Sequence, residues 1–441
     1  VNPVLAFIIG VLVVAFGVAV SIGLHEAGHF TTAKLFKVKV TQFMIGFGPT
    51  VFSRRKGETE YGLKALPLGG YVSMIGMFPP KPGERVHADS TGFFGGMVQD
   101  ARDQSAETIG PGEDDRAFYR LPVWKRIIVM FAGPFMNLVI AIALFAVLIM
   151  GIGTVQSSTT IASVSECVLP ATSERQTCEA GDPAAPGAEA GIQPGDEIVS
   201  IDGVPVTSWE QSTALIRDRA GETVPLVVDR DGEQVTLQVT PAASERYVLD
   251  DDGRIVTDDA GEPVTAEVGF LGIGSQPVRV QGTAGEVLPA VGEQLGASVN
   301  ALLTLPQKLV DVAQAAFGTE ERDPNGPVSV VGVGRIAGEI AASDQLEFQD
   351  RAAGIVGILA SLNLFLFLFN LVPLMPLDGG HIAGAIWEAI RKGWAKLRGK
   401  PDPGPVDMAK LMPLSFAVVI VFGAMSALLI YADLVKPVQV F

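Results

Sequence analysis

Residues 21–30 read SIGLHEAGHF, and three of them could do chemistry together. Positions i and i+4 of an α-helix share a face, so His25 and His29 can grip one metal ion from one side. Glu26, beside the first histidine, is placed to take a proton from a metal-bound water, which completes the His-Glu-x-x-His pattern of zinc peptidases. Zinc suits the set because imidazole is a good ligand and an open fourth position holds water. Three fixed residues recur by chance in roughly one chain in twenty at this length, so their location must add weight. They close an apolar run that starts at Pro3, where ionisable groups are costly. The competing reading, two histidines in structural hydrogen bonds, leaves that cost unexplained.

A catalytic zinc needs a third protein ligand. No helical pattern after Phe30 offers the downstream glutamate of a soluble thermolysin-like protease. The other polar cluster in an apolar setting is LFLFNLVPLMPLDGGH, residues 366–381. Asp378 follows 24 uncharged residues and His25 follows 22, so at about 1.5 Å per residue the two reach similar depth. His381 is the rival ligand, and Asp378 is favoured because it gives a His₂-carboxylate peptidase set. Pro373, Pro376 and Gly379-Gly380 break the helix beside Asp378, which at that depth requires protein or a watery cavity around the backbone. Asn370 could bond a substrate backbone or the tetrahedral oxyanion; its alternative role is a hydrogen bond between helices.

The elements that must position these groups are membrane helices. The chain has 441 residues, 48% hydrophobic, yet 18% are charged, a mixture of membrane and water-facing parts. Pro3–Leu24, Ile127–Gly153, Gly354–Leu377 and Leu411–Ala432 lack any Asp, Glu, Lys or Arg and are long enough to span a bilayer. No Lys or Arg precedes Lys34, so the first is read as a retained helix rather than a signal peptide. Segment 30–126 carries 14 basic residues and the short loop 379–410 carries six, while 154–353 has 11 basic and 32 acidic ones. The positive-inside rule then places 30–126 and 379–410 in the cytoplasm, with 154–353 and both termini outside.

Residues 1–36 form transmembrane helix 1, and 37–78, with short apolar runs between Gly, Pro and charged turns, a membrane-associated β-hairpin region. Residues 79–123 read as a flexible cytoplasmic loop holding His87 as a solvated histidine, and 124–153 as transmembrane helix 2. Residues 160–280 form a globular α+β domain with a hairpin signal around Asp231-Gly232. Residues 281–353 give an amphipathic helix and linker; the helix, 284–316, lies on the outer lipid surface or packs on the globular domain. Transmembrane helix 3 covers 354–390, a basic cytoplasmic loop 391–410, and transmembrane helix 4 411–432. Cys167 and Cys178 either form a disulfide in an oxidising compartment or stay as two thiols. NGPVSVVGVGR at 325–335 lacks the order of a phosphate loop, and no basic-aromatic constellation points to nucleic acid.

Within 160–280, Gly191, Pro194, Gly195, Asp196 and Ile198 resemble the Gly-x-x-Pro-Gly-Asp-x-Ile pattern of bacterial PDZ domains, which implies binding of an extended peptide or a steric gate. His25-Glu26-x-x-His29, Asn370-x-x-Pro373 and Leu377-Asp378-Gly379, with a PDZ-like domain between, resemble the site-2 protease family of intramembrane zinc metalloproteases. The branch is that of the bacterial regulator of sigma-E protease, to which GFGP at 46–49 and AGPFMN at 132–137 are also similar. The resemblance spans nearly the whole chain, with one PDZ domain where some members carry two. It implies Zn2+ held by His25, His29 and Asp378, Glu26 as general base, and a membrane-embedded hairpin, about 42–75, that receives substrate as a strand. Gly46, Phe47, Gly48, Asn370 and Pro373 are the substrate-binding candidates. Implied partners are single-span membrane proteins, such as anti-sigma factors already trimmed outside, and remnant signal peptides, in a bacterial inner (plasma) membrane. Gly133, Pro134 and Asn137 match a family motif and are read as close helix packing rather than chemistry.

The resulting expectation is a multi-pass α-helical membrane protein of four transmembrane helices, with a membrane-associated β-hairpin region and an extracytoplasmic PDZ-like α+β domain, acting as a zinc endopeptidase. Two other classes compete. A membrane-anchored PDZ scaffold with a vestigial metal site conflicts with the complete ligand-and-base set, and a metal-handling protein lacks a polar path along its helices.

Overall fold

The computed structural model describes residues 2–79, 93–169, 173, 175, 177–248, 256, 263–319, 322–323 and 326–438, without the side chains of Pro67, Leu68 and Phe93. His87 and most of the 79–92 stretch lie outside the described residues. Two compact units emerge, Val1–Ile152 with Gly282–Phe441, and Gly153–Gln281.

The first unit opens with α1 (Pro3–Leu35), where the Asn2 side chain accepts a hydrogen bond from the Val4 amide and proline takes the first helical position. Strands β1 (Val40–Lys56) and β2 (Thr59–Met74) follow as one long hairpin. It doubles back on itself: Gln42–Ile45 pairs with Ser73–Gly70 on one side and with Glu60–Leu63 on the other. α2 (Phe93–Glu107) comes next, so the loop expected over 79–123 is in part a helix. Its anchors are invisible to a composition argument: Arg102 pairs with Asp407, and Ser105 exchanges hydrogen bonds with the Phe78 backbone. α3 (Val123–Ala146) continues through a π turn at Val147–Ile152.

The second unit is a mixed domain. β3 (Thr154–Val164), α4 (Pro186–Glu189), β4 (Glu197–Ile201), β5 (Val204–Pro205), α5 (Trp209–Arg217), β6 (Val224–Arg230), β7 (Glu233–Val239), β8 (Ala242–Tyr247), β9 (Thr265–Phe270) and β10 (Ile273–Val280) follow in order. The main sheet runs β10-β3-β4-β6-β7 with β5 on β4, and β8 pairs with β9 separately. Ile161, Ile198, Ile201, Leu226, Val228 and Leu271 form its core. Asp196 is 1% exposed and accepts two hydrogen bonds of 2.7 Å from Arg230 and one from the Gln193 amide. Cys167 and Cys178 are disulfide-bonded, which settles the alternative left open by spacing.

The first unit resumes with α6 (Ala284–Phe317), α7 (Val330–Ala342), α8 (Phe348–Leu371), α9 (Asp378–Leu397) and α10 (Met412–Val435). The expected linker after α6 therefore contains α7, which packs on α1: a Cβ at Gly10 would stand 2.5 Å from the Ala337 carbonyl oxygen. The first half of the apolar stripe of α6 packs within the helix unit, where Val287 and Val291 join Ala141, Phe145, Leu364 and Phe367 from α3 and α8 in one core, while Val299 and Leu303 farther along are exposed. The 354–390 segment is two helices separated by 372–377, and α9 runs on to Leu397, into the expected 391–410 loop. Among the described residues, four helical stretches are long and apolar enough to cross a membrane: Pro3–Leu35, Val123–Ile152, Phe348–Leu371 and Met408–Val435.

Candidate active site

The last turns of α1, the first half of α3 and the start of α9 converge. On α1, His25 and His29 present Nε2 atoms 3.2 Å apart. Asp378, at the first position of α9, brings Oδ2 to 3.3 Å from each. Three donors on three corners of so small a triangle fit a tetrahedral zinc, whose ligand atoms at about 2.0–2.1 Å from the metal stand roughly 3.3 Å from one another. Among the described residues this is the one group of three such side chains that could share an ion. His381 is not part of it and instead stacks near Phe78.

The break before α9 delivers Asp378. Gly379 and Gly380 lie so close to the chain at Leu371–Leu374 that a Cβ would meet backbone at 2.3 Å and 2.8 Å respectively, so only glycine lets the segment fold over the helix start. α1 and α3 also touch through small residues: a Cβ at Gly28 would stand 2.3 Å from the Ala132 carbonyl oxygen, and one at Gly133 2.2 Å from His29 Nε2.

Each imidazole is oriented from behind. His29 Nδ1 lies 2.7 Å from the Val129 carbonyl oxygen, so Nδ1 donates and Nε2 keeps its lone pair. His25 Nδ1 lies 3.2 Å from Asn137 Nδ2, while Asn137 Oδ1 is buried without a partner among the described residues. Turning that amide by half a rotation would give His25 Nδ1–H an acceptor and leave His25 Nε2 its lone pair, the arrangement a metal ligand needs. Sequence reasoning gave Asn137 to packing. The bond joins residues 112 positions apart, and only the match of AGPFMN to a motif pointed toward it.

Glu26 is buried, and its charge interacts with His25, His29 and Asp378. β2 passes directly over it at Gly70. Phe47 of the Gly46-Phe47-Gly48 bend is exposed, stacks on Tyr71 at 6.4 Å and lies against Gly69, next in the chain to Gly70. Gly46 and Gly48 have φ of +94° and +84°, the left-handed region that favours glycine. Asn370 is half-buried in the last turn of α8 and has no hydrogen-bond partner among the described residues; Pro373 is exposed in the break. Neither touches the three converging donors.

This arrangement defines a membrane-embedded zinc peptidase, and the sequence comparisons agree. The model of peptidase family M50 matches residues 13–401, and the chain belongs to that family, the site-2 proteases; it is a zinc metalloprotease. It is 35% identical over 445 residues, 99% of each chain, to the zinc metalloprotease Rip1 of Mycobacterium tuberculosis. It is 29% identical over 390 residues, 85% of each chain, to a putative zinc metalloprotease of Brucella suis. The metalloprotease MmpA of Caulobacter vibrioides is 27% identical over 397 residues, 88% of each chain.

Proposed function

We propose that the protein cleaves the transmembrane segments of single-span membrane proteins, anti-sigma factors already trimmed outside being the expected class and remnant signal peptides a second. The observation that carries this reading is the meeting of His25 Nε2, His29 Nε2 and Asp378 Oδ2 within 3.3 Å at the end of a membrane-length helix. These three side chains hold the metal, and Glu26 is the general base. When bound, zinc lowers the pKa of water toward about 7 and polarises the scissile carbonyl. Glu26 accepts the proton of the attacking water and returns it to the leaving amine. The hairpin supplies an edge for the substrate, whose helix must unwind before its peptide bonds become accessible; an added strand satisfies the freed backbone groups. The Gly46–Gly48 bend, Asn370 and Pro373 are assigned to substrate contact.

The 160–280 segment is assigned as a PDZ-like domain outside the cytoplasm, in a bacterial inner membrane. Its groove beside α5 and β9, about 400 Å³ and lined by Trp209, Thr213, Arg246 and Phe270, has the form to hold an extended peptide or to gate access by size. The six basic residues of the short loop 379–410, which the positive-inside rule puts in the cytoplasm, and the Cys167–Cys178 disulfide support its external placement. Purified protein in liposomes should cleave a trimmed single-span substrate and stop on chelation. Glu26→Gln should keep its zinc and lose cleavage; cleavage at the unaltered rate would remove Glu26 from the role of base.

A further inference from the structure

The C-terminal half of α9 presents a surface that the peptidase reading leaves unused. Trp387, Ile390, Trp394 and Leu397 recur at helical spacing and all are exposed, Leu397 by 83%. Between and beyond them stand Arg391, Lys392, Lys396, Arg398 and Lys400. The one acidic residue of α9 past Asp378 is Glu388, which is 1% exposed and faces inward to Arg126 at the start of α3. Lys392 pairs with Glu388 at 2.9 Å and reaches Asp402 at 3.7 Å, and the remaining outward charge of this half-helix is positive.

Its level relative to the membrane is fixed by that same ion pair. Arg126 belongs to the first turn of a membrane-length helix, so Glu388 is tied to the boundary where that helix enters lipid. Beside it Trp124 is exposed, with Lys125 5.4 Å over its ring and Phe36 from the end of α1 packed edge-on at 5.7 Å. Three of the chain's four tryptophans, Trp124, Trp387 and Trp394, thus belong to one end of the helix assembly, the signature of a headgroup belt. A 20-residue helix with Arg391, Lys392 and Lys396 in its far half, and Arg398 and Lys400 just past its end, cannot span; an apolar stripe flanked by cations suits the plane of an anionic interface.

We propose that the C-terminal half of α9 is an anchor for an anionic bilayer surface, with Trp387, Ile390, Trp394 and Leu397 at the acyl-headgroup boundary and the flanking basic side chains on anionic headgroups. Because Asp378 opens the same helix, seating this half sets the position of Asp378 against His25 and His29, and the protease responds to the charge of its leaflet. This goes beyond the peptidase reading, and its first readout needs no cleavage. The full-length Trp124→Phe/Trp209→Phe protein is placed in nanodiscs of phosphatidylcholine, with or without phosphatidylglycerol, brominated either near the headgroup or near the chain end. Emission from Trp387 and Trp394 should be quenched chiefly by the shallow bromines. Cleavage by the otherwise native protein should rise about fivefold or more with phosphatidylglycerol, the worth of one basic side chain at an anionic surface. Lys396→Glu/Arg398→Glu/Lys400→Glu should keep the rate in phosphatidylcholine and lose the rise. Emission indifferent to bromine at both depths would give the stripe to a protein partner and overturn the proposal. Stronger quenching from the chain end would make α9 a buried helix and overturn it too, and equal rates in the two lipids would overturn the link to Asp378.

Discussion

Gly70 on β2 lies against Glu26 on α1: a Cβ at position 70 would stand 2.9 Å from Glu26 Cγ, 3.0 Å from the Met44 carbonyl oxygen and 3.2 Å from Ile22 Cγ2. The strand proposed to offer an edge to substrate therefore passes directly over the assigned base, and the absence of a side chain at position 70 is what permits it.

Gly70→Ala must push Glu26 or lift the strand. Misplacing a reacting group by about 1 Å can cost on the order of 100-fold in rate. The expected outcome is a kcat lowered about 10- to 100-fold with zinc content unchanged by elemental analysis. Loss of zinc in step with activity would show that the contact supports the ligands rather than the base.

Asn137 gives a complementary case, acting on His25 rather than on substrate. Removing a partner that orients a ligating imidazole typically costs about 10- to 100-fold in metal affinity. Asn137→Ala should weaken zinc binding by that factor in competition with a chelator, with activity restored by added zinc, and Asn137→Asp should stay close to wild type in affinity. An unaltered zinc affinity in Asn137→Ala would leave the residue as packing alone.

These two residues mark where the sequence stopped being informative. His25 and His29 were legible because a helix turns one helical repeat into one face, and Asp378 because uncharged run lengths measure depth. The hairpin followed from Gly-rich punctuation between apolar runs. Asn137 and Gly70 act through contacts with residues 112 and 44 positions away, a distance at which neither periodicity nor composition carries signal. α2 was missed because its weakly apolar sequence is held by Arg102–Asp407, a tertiary ion pair. The end of α9 past residue 390 reads as loop because Arg391, Lys392 and Lys396 crowd the apolar positions 390, 394 and 397.

Glu58, in the hairpin turn, ties that turn to the end of α1 and to the segment before α3. Hydrogen bonds from Arg116 at 2.8 Å and 2.9 Å, and a further bond from Lys34, lower its pKa from 4.5 to about 2. A carboxylate with a depressed folded pKa adds stability that is complete above the unfolded value and lost as pH falls through the folded one. The tie should therefore be at full strength above pH 4.5 and fade between there and about 2. In detergent, the melting temperature of wild type should exceed that of Glu58→Gln at neutral pH, with the gap closing across that window. A gap that stays constant with pH would mean the charge of Glu58 contributes nothing.

The Arg126–Glu388 pair joins α3 to α9 and tests how Asp378 is held. Glu388 also accepts from Lys392 Nζ at 2.9 Å and from the Val406 amide at 3.0 Å, so it keeps partners when Arg126 is removed. Arg126 is 8% exposed, and no other acidic side chain pairs with it among the described residues. Breaking a buried pair from one side costs about 3–5 kcal/mol when the remaining charge is stranded, whereas replacing both members by apolar groups is often close to neutral. The expected order of stability is therefore wild type close to Arg126→Leu/Glu388→Leu, then Arg126→Leu, with Glu388→Leu the least stable. Thermal inactivation of the full chain in detergent, read together with retained zinc, gives that order directly. A double variant as unstable as the two single losses combined would show that the two side chains act independently, and that α9 is held to α3 by something other than this charge pair.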